Sequence, residues 1–335
     1  MNQLALLNDW QHDFPLEREP FATVAALAGA SVDEVLAGYA AARLDGSLSR
    51  IGGVFGGGAG GAAMLCAMAV PPARLASVAA LVSAHPGVNH NYEREHPINL
   101  WFVLTAPDAS ALAAALAGLE AATGLAALRL PMQRAYRIDL GFDLRGRTAA
   151  APRTGPHGAA ARPVAPADRS LAALVEDGLP LLERPFDAWA EALGRTPGQV
   201  LDVLRGWLAH GTLKRFGTIV RHHELGFAAN AMTVFDVPDD AVDACGEALA
   251  RTPGVTLAYR RARAEGWPFN LYCMVHGRDR VAVHAVLDAA LAQAGLAACP
   301  RAVLFSRRRY KQTGGRYFAD ARPALMDPMP HALVA

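Results

Sequence analysis

The chain has 335 residues, an apolar fraction of 52% and a formal net charge of +1. That is enough core for two or more domains, and it exerts no overall pull on nucleic acid. Four scattered cysteines (Cys66, Cys245, Cys273, Cys299) with no C-x-x-C pair speak against a zinc or iron–sulfur site and for a reducing, cytoplasmic setting.

No apolar run reaches transmembrane length, and Asn8, Asp9, His12 and Asp13 leave no room for a signal-peptide core, so neither a membrane span nor a leader is expected. In chain order, the sequence reads as one unit written twice. Pro15-Leu-Glu-Arg-Glu-Pro-Phe21 recurs as Pro180-Leu-Leu-Glu-Arg-Pro-Phe186, and Arg50-Ile-Gly52 as Arg215-Phe-Gly217. Further on, Pro86-Gly-Val88 recurs as Pro253-Gly-Val255, Asn99-Leu-Trp as Asn270-Leu-Tyr, and Arg134-Ala-Tyr136-Arg137 as Arg308-Arg-Tyr310-Lys311.

Each copy begins with a helical head. Ser31-Val-Asp-Glu34 is a capping box that opens a helix to about Leu44, and Thr196-Pro-Gly-Gln199 does the same in copy two. Short helix, turn, longer helix and Gly-x-Leu-x-Arg predict a winged helix-turn-helix over 1–58 and again over 169–223. The tails alternate β and α. Strands are expected near 62–71, 88–94, 99–105 and 128–137, with helices near 72–84 and 109–122. Copy two repeats them near 228–237, 255–261, 269–276 and 301–309, with helices near 239–251 and 279–294. That order, βαββαβ, is ferredoxin-like and covers 59–146 and 224–320. Residues 147–168 are rich in Ala, Pro, Gly and Arg and read as a linker. The fold class is therefore α+β, two tandem winged-helix plus ferredoxin-like units, an arrangement that resembles the Lrp/AsnC regulators. DNA reading is not expected. The longer head helices open with Asp33 and Glu34 or Gln199 and Asp202, and carboxylates there repel phosphate.

Four polar clusters recur at matching places. The first is Arg50 and Arg215, each followed by x-Gly; a helix end enriched in cations is the ordinary alternative. The second is Arg221-His222-His223 in copy two, against Gly56-Gly-Gly-Ala-Gly-Gly61 in copy one. Those glycines spell G-x-G-x-x-G but run into a strand, so they are no nucleotide fingerprint. The third is the stretch after Pro86. Alternation places Val88, His90, Tyr92 and Arg94 on one face and Asn89, Asn91 and Glu93 on the other. Copy two repeats Tyr259 and Arg261 but has Leu257 for His90. The fourth is Arg134 and Tyr136 with Arg308, Tyr310 and Lys311. Arg, Tyr and His without acidic partners suit a flat ligand carrying several carboxylates or phosphates.

These motifs, with Asp13-Phe-Pro-Leu, Gly87-Val-x-His90-Asn-Tyr-x-Arg94 and Arg221-His-x-x-Leu-Gly226, resemble the siroheme decarboxylases in their fused NirD–NirL form. The resemblance implies removal of CO2 from the C12 and C18 acetates of siroheme to give 12,18-didecarboxysiroheme, for heme d1 or alternative heme synthesis. It implies His90, His222, Arg94 and Tyr92 as catalytic candidates, with His90 or His222 as proton donor or axial ligand of the substrate's iron. Arg50, Arg134, Tyr136, Arg215, Arg221 and His223 are candidate substrate-binding residues. So are Tyr259, Arg261, Arg308, Tyr310 and Lys311. No cofactor beyond the iron-bearing substrate is implied. Expected partners are siroheme, the other half of the same chain, a further dimer and sister subunits of NirG/NirH type. The rivals are a tetrapyrrole-sensing regulator and a non-catalytic tetrapyrrole-binding protein.

Overall fold

Both capping boxes form. Ser31 accepts from the Glu34 N–H while Glu34 takes the Ser31 N–H, and Thr196 and Gln199 do likewise. A computed structural model describes residues 2–138, 161–221 and 229–323, and these fall into two units.

The helical unit gathers 1–60, 160–219 and the segment from 316 onward. It contains α1 (Gln3–Asn8), α2 (Pro20–Ala28), α3 (Val32–Leu44) and β1 (Leu48–Phe55) from copy one. Copy two adds α6 (Arg169–Asp177), α7 (Pro185–Leu193), α8 (Pro197–Ala209) and β7 (Leu213–Val220). The wing is shared, because β1 pairs with β7 across the copies. Fully buried Phe21, Tyr39, Phe186, Trp189 and Phe216 form its aromatic core, each ring worth roughly 2–3 kcal/mol of burial. Val164 donates to the Ala59 carbonyl and Phe318 packs 5.0 Å from Phe55. Residues 161–168 of the expected linker and 316–320 of the expected ferredoxin-like domain thus belong to the helical unit.

The sheet unit takes, of the described residues, 61–138, 220–221 and 229–315. Copy one supplies β2 (Ala62–Met68), α4 (Leu75–Ala84), β3 (Val88–Arg94), β4 (Leu100–Ala106), α5 (Ala109–Thr123), β5 (Leu128–Leu130) and β6 (Met132–Ile138). Copy two supplies β8 (Ala229–Phe235), α9 (Val242–Arg251), β9 (Val255–Arg261), β10 (Leu271–Gly277), α10 (Arg280–Gln293) and β11 (Arg301–Gln312). The nine strands run in the order β5-β2-β4-β3-β11-β8-β10-β9-β6. The last strand of each copy therefore crosses over. Pro131, which has no N–H to give to a ladder, splits the expected strand 128–137. Its first piece stays on β2 and its second pairs with β9. In β11, residues 301–305 pair with β8 and 306–312 with β3.

The helices cover one side of the sheet. Val88, Phe102 and Leu104 pack under the copy-one helices, and Val255, Leu271 and Val275 under those of copy two. A third cluster, built on Trp101, Trp267, Tyr272, Met232 and Leu304, forms on the other, helix-free face.

A bulge interrupts β3. Val88 lies opposite Leu104 but His90 opposite Val103, so Asn89 is an extra residue. In β9, Val255 faces Val275 and Leu257 faces Met274, which makes Thr256 the extra residue there. The bulge corrects the expected alternation. Val88 turns into the helix-covered core, while His90, Tyr92 and Arg94 share the helix-free face.

Candidate active site on the helix-free face

The His90 row is completed by β11. Register places Ser306 opposite Arg94, Arg309 opposite Tyr92 and Gln312 opposite His90. The His90 ring stacks on Tyr92 with centroids 6.3 Å apart and planes inclined by 22°. His90 Nδ1 lies 2.7 Å from Asn89 Oδ1. With the amide oriented this way its carbonyl oxygen accepts, so Nδ1 carries the proton. Arg309 donates to Gln312 Oε1 at 3.2 Å.

Arg94 is 6% exposed and donates through Nη1 to the Leu304 carbonyl at 2.9 Å. Its guanidinium sits 5.6 Å from the Tyr92 ring, and its Nε has no hydrogen-bond partner. Burial pulls the guanidinium pKa down to about 10, with the phenols of Tyr92 and Tyr259 as the charges that oppose the shift. Among the described residues no ion pair to a carboxylate relieves it. A buried cation in that state is costly until an anion arrives.

The corresponding face in copy two is packed differently. Arg261 donates to the Leu130 carbonyl at 2.6 Å and lies 4.6 Å from the Tyr259 ring. Tyr259 is 7% exposed and stacks on Tyr272 with centroids 5.6 Å apart. Opposite Leu257, Tyr259 and Arg261 stand Ile138, Ala135 and Met132. The row that is polar on β11 is apolar on β6.

Several sequence candidates lie elsewhere. Register shifts in β11 between Ser306 and Arg308, and between Arg309 and Lys311, send Tyr310 and Lys311 to the helix-covered side. Tyr310 donates to Glu93 at 3.2 Å with Arg308 over its ring, and Lys311 donates to the Ser83 and His85 carbonyls where α4 ends. A cation at a helix C-terminus is the expected pairing. Matching shifts in β6 turn Arg134 to Asp243 and Glu247 of α9, and Tyr136 to Asp243. These four cations and phenols, with Arg308, bind crossing strands to helices; they do not join the His90 row.

Arg50 and Arg215 belong to the helical unit, buried and bonded to main-chain carbonyls of Gly53, and of Gln11 and Thr218. The glycine two places on has a packing reason. A Cβ on Gly52 would sit 2.7 Å from the Val175 carbonyl, and one on Gly217 would sit 2.3 Å from that of Trp10. Arg221 is half-buried at the end of β7. His222 and His223 fall outside the described residues.

Alternation missed Arg309 and Gln312 because one bulge separates Arg309, and two separate Gln312, from the strand start. The signal that could have found Arg309 was the repeat itself, which sets it against Ala135. A cleft of about 510 Å³ in the sheet unit is lined by Arg94 together with Glu93, Glu95, His96 and Arg307. Its two carboxylates suit a polyanion poorly. Among the described residues no cluster of three or more His, Cys, Asp or Glu gathers to hold a metal.

Known proteins share both domain types of this chain. The AsnC-like ligand binding domain matches residues 59–137 and 224–311, and the siroheme decarboxylase NirDL-like HTH domain matches 4–46 and 168–213. The siroheme decarboxylase NirDL subunit of Paracoccus denitrificans is 44% identical over 312 residues, covering 93% of this chain and 95% of that protein. The NirD subunit of Stutzerimonas stutzeri is 54% identical over 139 residues, 42% of this chain and 91% of its own length. A crystal structure of a siroheme decarboxylase NirDL in complex with an iron-uroporphyrin III analogue superposes with a TM-score of 0.66 and 26% identity, covering 96% of each chain.

Proposed function

The chain belongs to the siroheme decarboxylases of NirDL type, and from that premise we propose that it decarboxylates siroheme on the face of β3 and β11. The observation that carries the reading is Arg94, a buried cation without a carboxylate partner among the described residues, in one row with His90 and with Tyr92, which stands opposite Arg309. That row fits a flat polyanion, and the iron-uroporphyrin analogue bound by a structural relative is one.

In the reaction the C–CO2 bond of an acetate arm breaks, and its electron pair stays on the methylene carbon, where the macrocycle delocalises it. CO2 leaves, and a proton adds to that carbon to give a methyl group. The protein orients the leaving carboxylate against the ring, holds the remaining carboxylates with Arg94 and Arg309, and supplies the proton. His90 is placed for the last task. Asn89 fixes Nδ1–H, so the proton comes and goes at Nε2. The macrocycle is its own electron sink, so the step calls for no separate organic cofactor.

We assign two acetates, C12 and C18, to be lost in turn, and the cytoplasm as the site of action. The crossing of β6 and β11 between the copies supports pairing of the two halves within one chain. The regulator reading is disfavoured by Asp33 and Glu34 in the first turn of α3, where DNA phosphates would have to approach.

Anaerobic incubation with siroheme followed by mass spectrometry tests the proposal. Loss of two CO2 per tetrapyrrole is expected. Binding of siroheme with no loss of mass would leave a carrier instead.

A further inference from the structure

The row that starts at Arg94 continues across the sheet. Ser306 pairs with Arg94 on β3. Asn230 lies on β8 one step beyond the Phe305–Ala231 pair, and His276 on β10 pairs with Asn230. Each stands two residues from a member of the helix-free cluster, namely Leu304, Met232 and Met274, and therefore points to the same face. Four adjacent strands thus carry Arg94, Ser306, Asn230 and His276 in line, over about 14 Å at ordinary strand spacing.

Three of these side chains hold a polar atom that is buried and has no partner: Arg94 Nε, Ser306 Oγ and Asn230 Oδ1. Unpaired buried polar atoms are rare in folded proteins, and three on neighbouring strands point to a missing ligand. The Asn230 amide can turn over to present its NH2 with no change in backbone.

The fourth residue is held in a defined tautomer. Thr256, the bulge residue, donates its one hydroxyl proton to the Met274 carbonyl and sits 2.9 Å from His276 Nδ1. With that proton on the Met274 carbonyl, the Thr256 oxygen accepts from His276 Nδ1–H. Asn89 does the same to His90 in copy one. Burial and the charge of Arg94 hold the His276 imidazole neutral, with its pKa down to about 4.

The other half of the molecule lacks this row. Arg261 keeps its carbonyl bond, but Met132 pairs with it, and Ala63 pairs with Thr105 where Asn230 pairs with His276. The repeat preserves the arginine, whose Nε is unpartnered in both halves, but replaces the serine and the asparagine with Met132 and Ala63 and leaves only the Thr105 hydroxyl, which donates to the Gly87 carbonyl.

We propose that Ser306, Asn230 and His276 extend Arg94 into a strip that receives one carboxylate arm of the tetrapyrrole, and that this strip makes the His90 half-site the one that takes substrate. Chemically the strip offers a guanidinium, a hydroxyl, an amide and an imidazole. It rests on the tetrapyrrole reading above.

Two variants test it in the full-length protein, with iron uroporphyrin as the probe followed by its visible absorption. Asn230→Asp places a carboxylate beside Arg94 where the ligand's own is expected. Affinity should fall at least tenfold while the melting temperature holds or rises, whereas a merely structural role for Asn230 would move only the melting temperature. The triple variant Ser306→Met, Asn230→Ala, His276→Thr copies residues that the other half already accommodates. It should bind at least a hundredfold more weakly with an intact sheet by circular dichroism. Unchanged affinity in both variants would overturn the strip. Decarboxylation of siroheme by the wild type is scored separately by mass. If the wild type binds iron uroporphyrin but releases no CO2, the decarboxylase reading falls and the strip is still judged by affinity. If it does not bind, both fall.

Discussion

On the β3–β11 face the helix-free row reads His90, Tyr92, Arg94 against Gln312, Arg309, Ser306; on the β9–β6 face it reads Leu257, Tyr259, Arg261 against Ile138, Ala135, Met132. What persists is the tyrosine and the arginine. Both arginines bond the carbonyl of an equivalent leucine, Leu304 or Leu130. Recurrence in a repeat therefore marks what the fold needs, and the differences mark what the chemistry needs. Tyr259 and Arg261, expected to bind substrate, stand in the row that β6 lines with apolar side chains.

Swapping the divergent residues tests the comparison most sharply. His90→Ala should lower siroheme decarboxylation by about 10²–10⁴-fold, as loss of a positioned proton donor does. Leu257→Ala, in the matching place, should leave the rate within about twofold. Equal losses in steady-state assays would mean that the halves work alike.

The two arginines should part next. Arg94→Met is expected to weaken tetrapyrrole binding by about 2–5 kcal/mol, measured by absorption titration. Arg261→Met should instead lower thermal stability, because the Leu130 carbonyl loses its donor, while affinity stays near that of the wild type.

A smaller effect is expected at Arg309, which is partly solvent-exposed. Arg309→Ala should cost on the order of 1 kcal/mol of affinity, with a dependence on salt that screening predicts.

The mildest test is pH. The His276 pKa lies below its ordinary value, so the unfolded chain binds a proton that the fold refuses. Its contribution to stability is complete above about pH 6.5 and is lost as pH falls toward 4, by on the order of 1–3 kcal/mol. His276→Gln should flatten that part of the stability profile in denaturant melts.

Much of the architecture was legible. Strands 88–94 and 255–261 and the helix starting at Ser31 stand where pattern and capping chemistry put them, because each rests on local rules. The bulges did not show. Asn89 and Thr256 are ordinary strand-edge residues in sequence, and only pairing with β4 and β10 reveals the extra position. One extra residue changed the face of Val88, and another, between Ser306 and Arg308, put Arg309 rather than Arg308 on the face of Ser306. The crossing of β6 and β11 was equally hidden, since partner choice is a long-range decision that no window of sequence contains. His276 went unnoticed because its neighbours Met274 and Tyr272 make β10 read as core.

The exchange of final strands has a consequence for how the protein is made. More than a hundred residues separate Ile138 from Val255, the start of the strand on which β6 must pair. At about 5–20 residues per second of synthesis, β6 waits roughly 6–24 s outside the ribosome with an open edge. During that interval the first copy lacks its last partner, and the β6 N–H and C=O groups that will pair with β9 stand open. A nascent chain of this design is committed to its second half before its first half is finished.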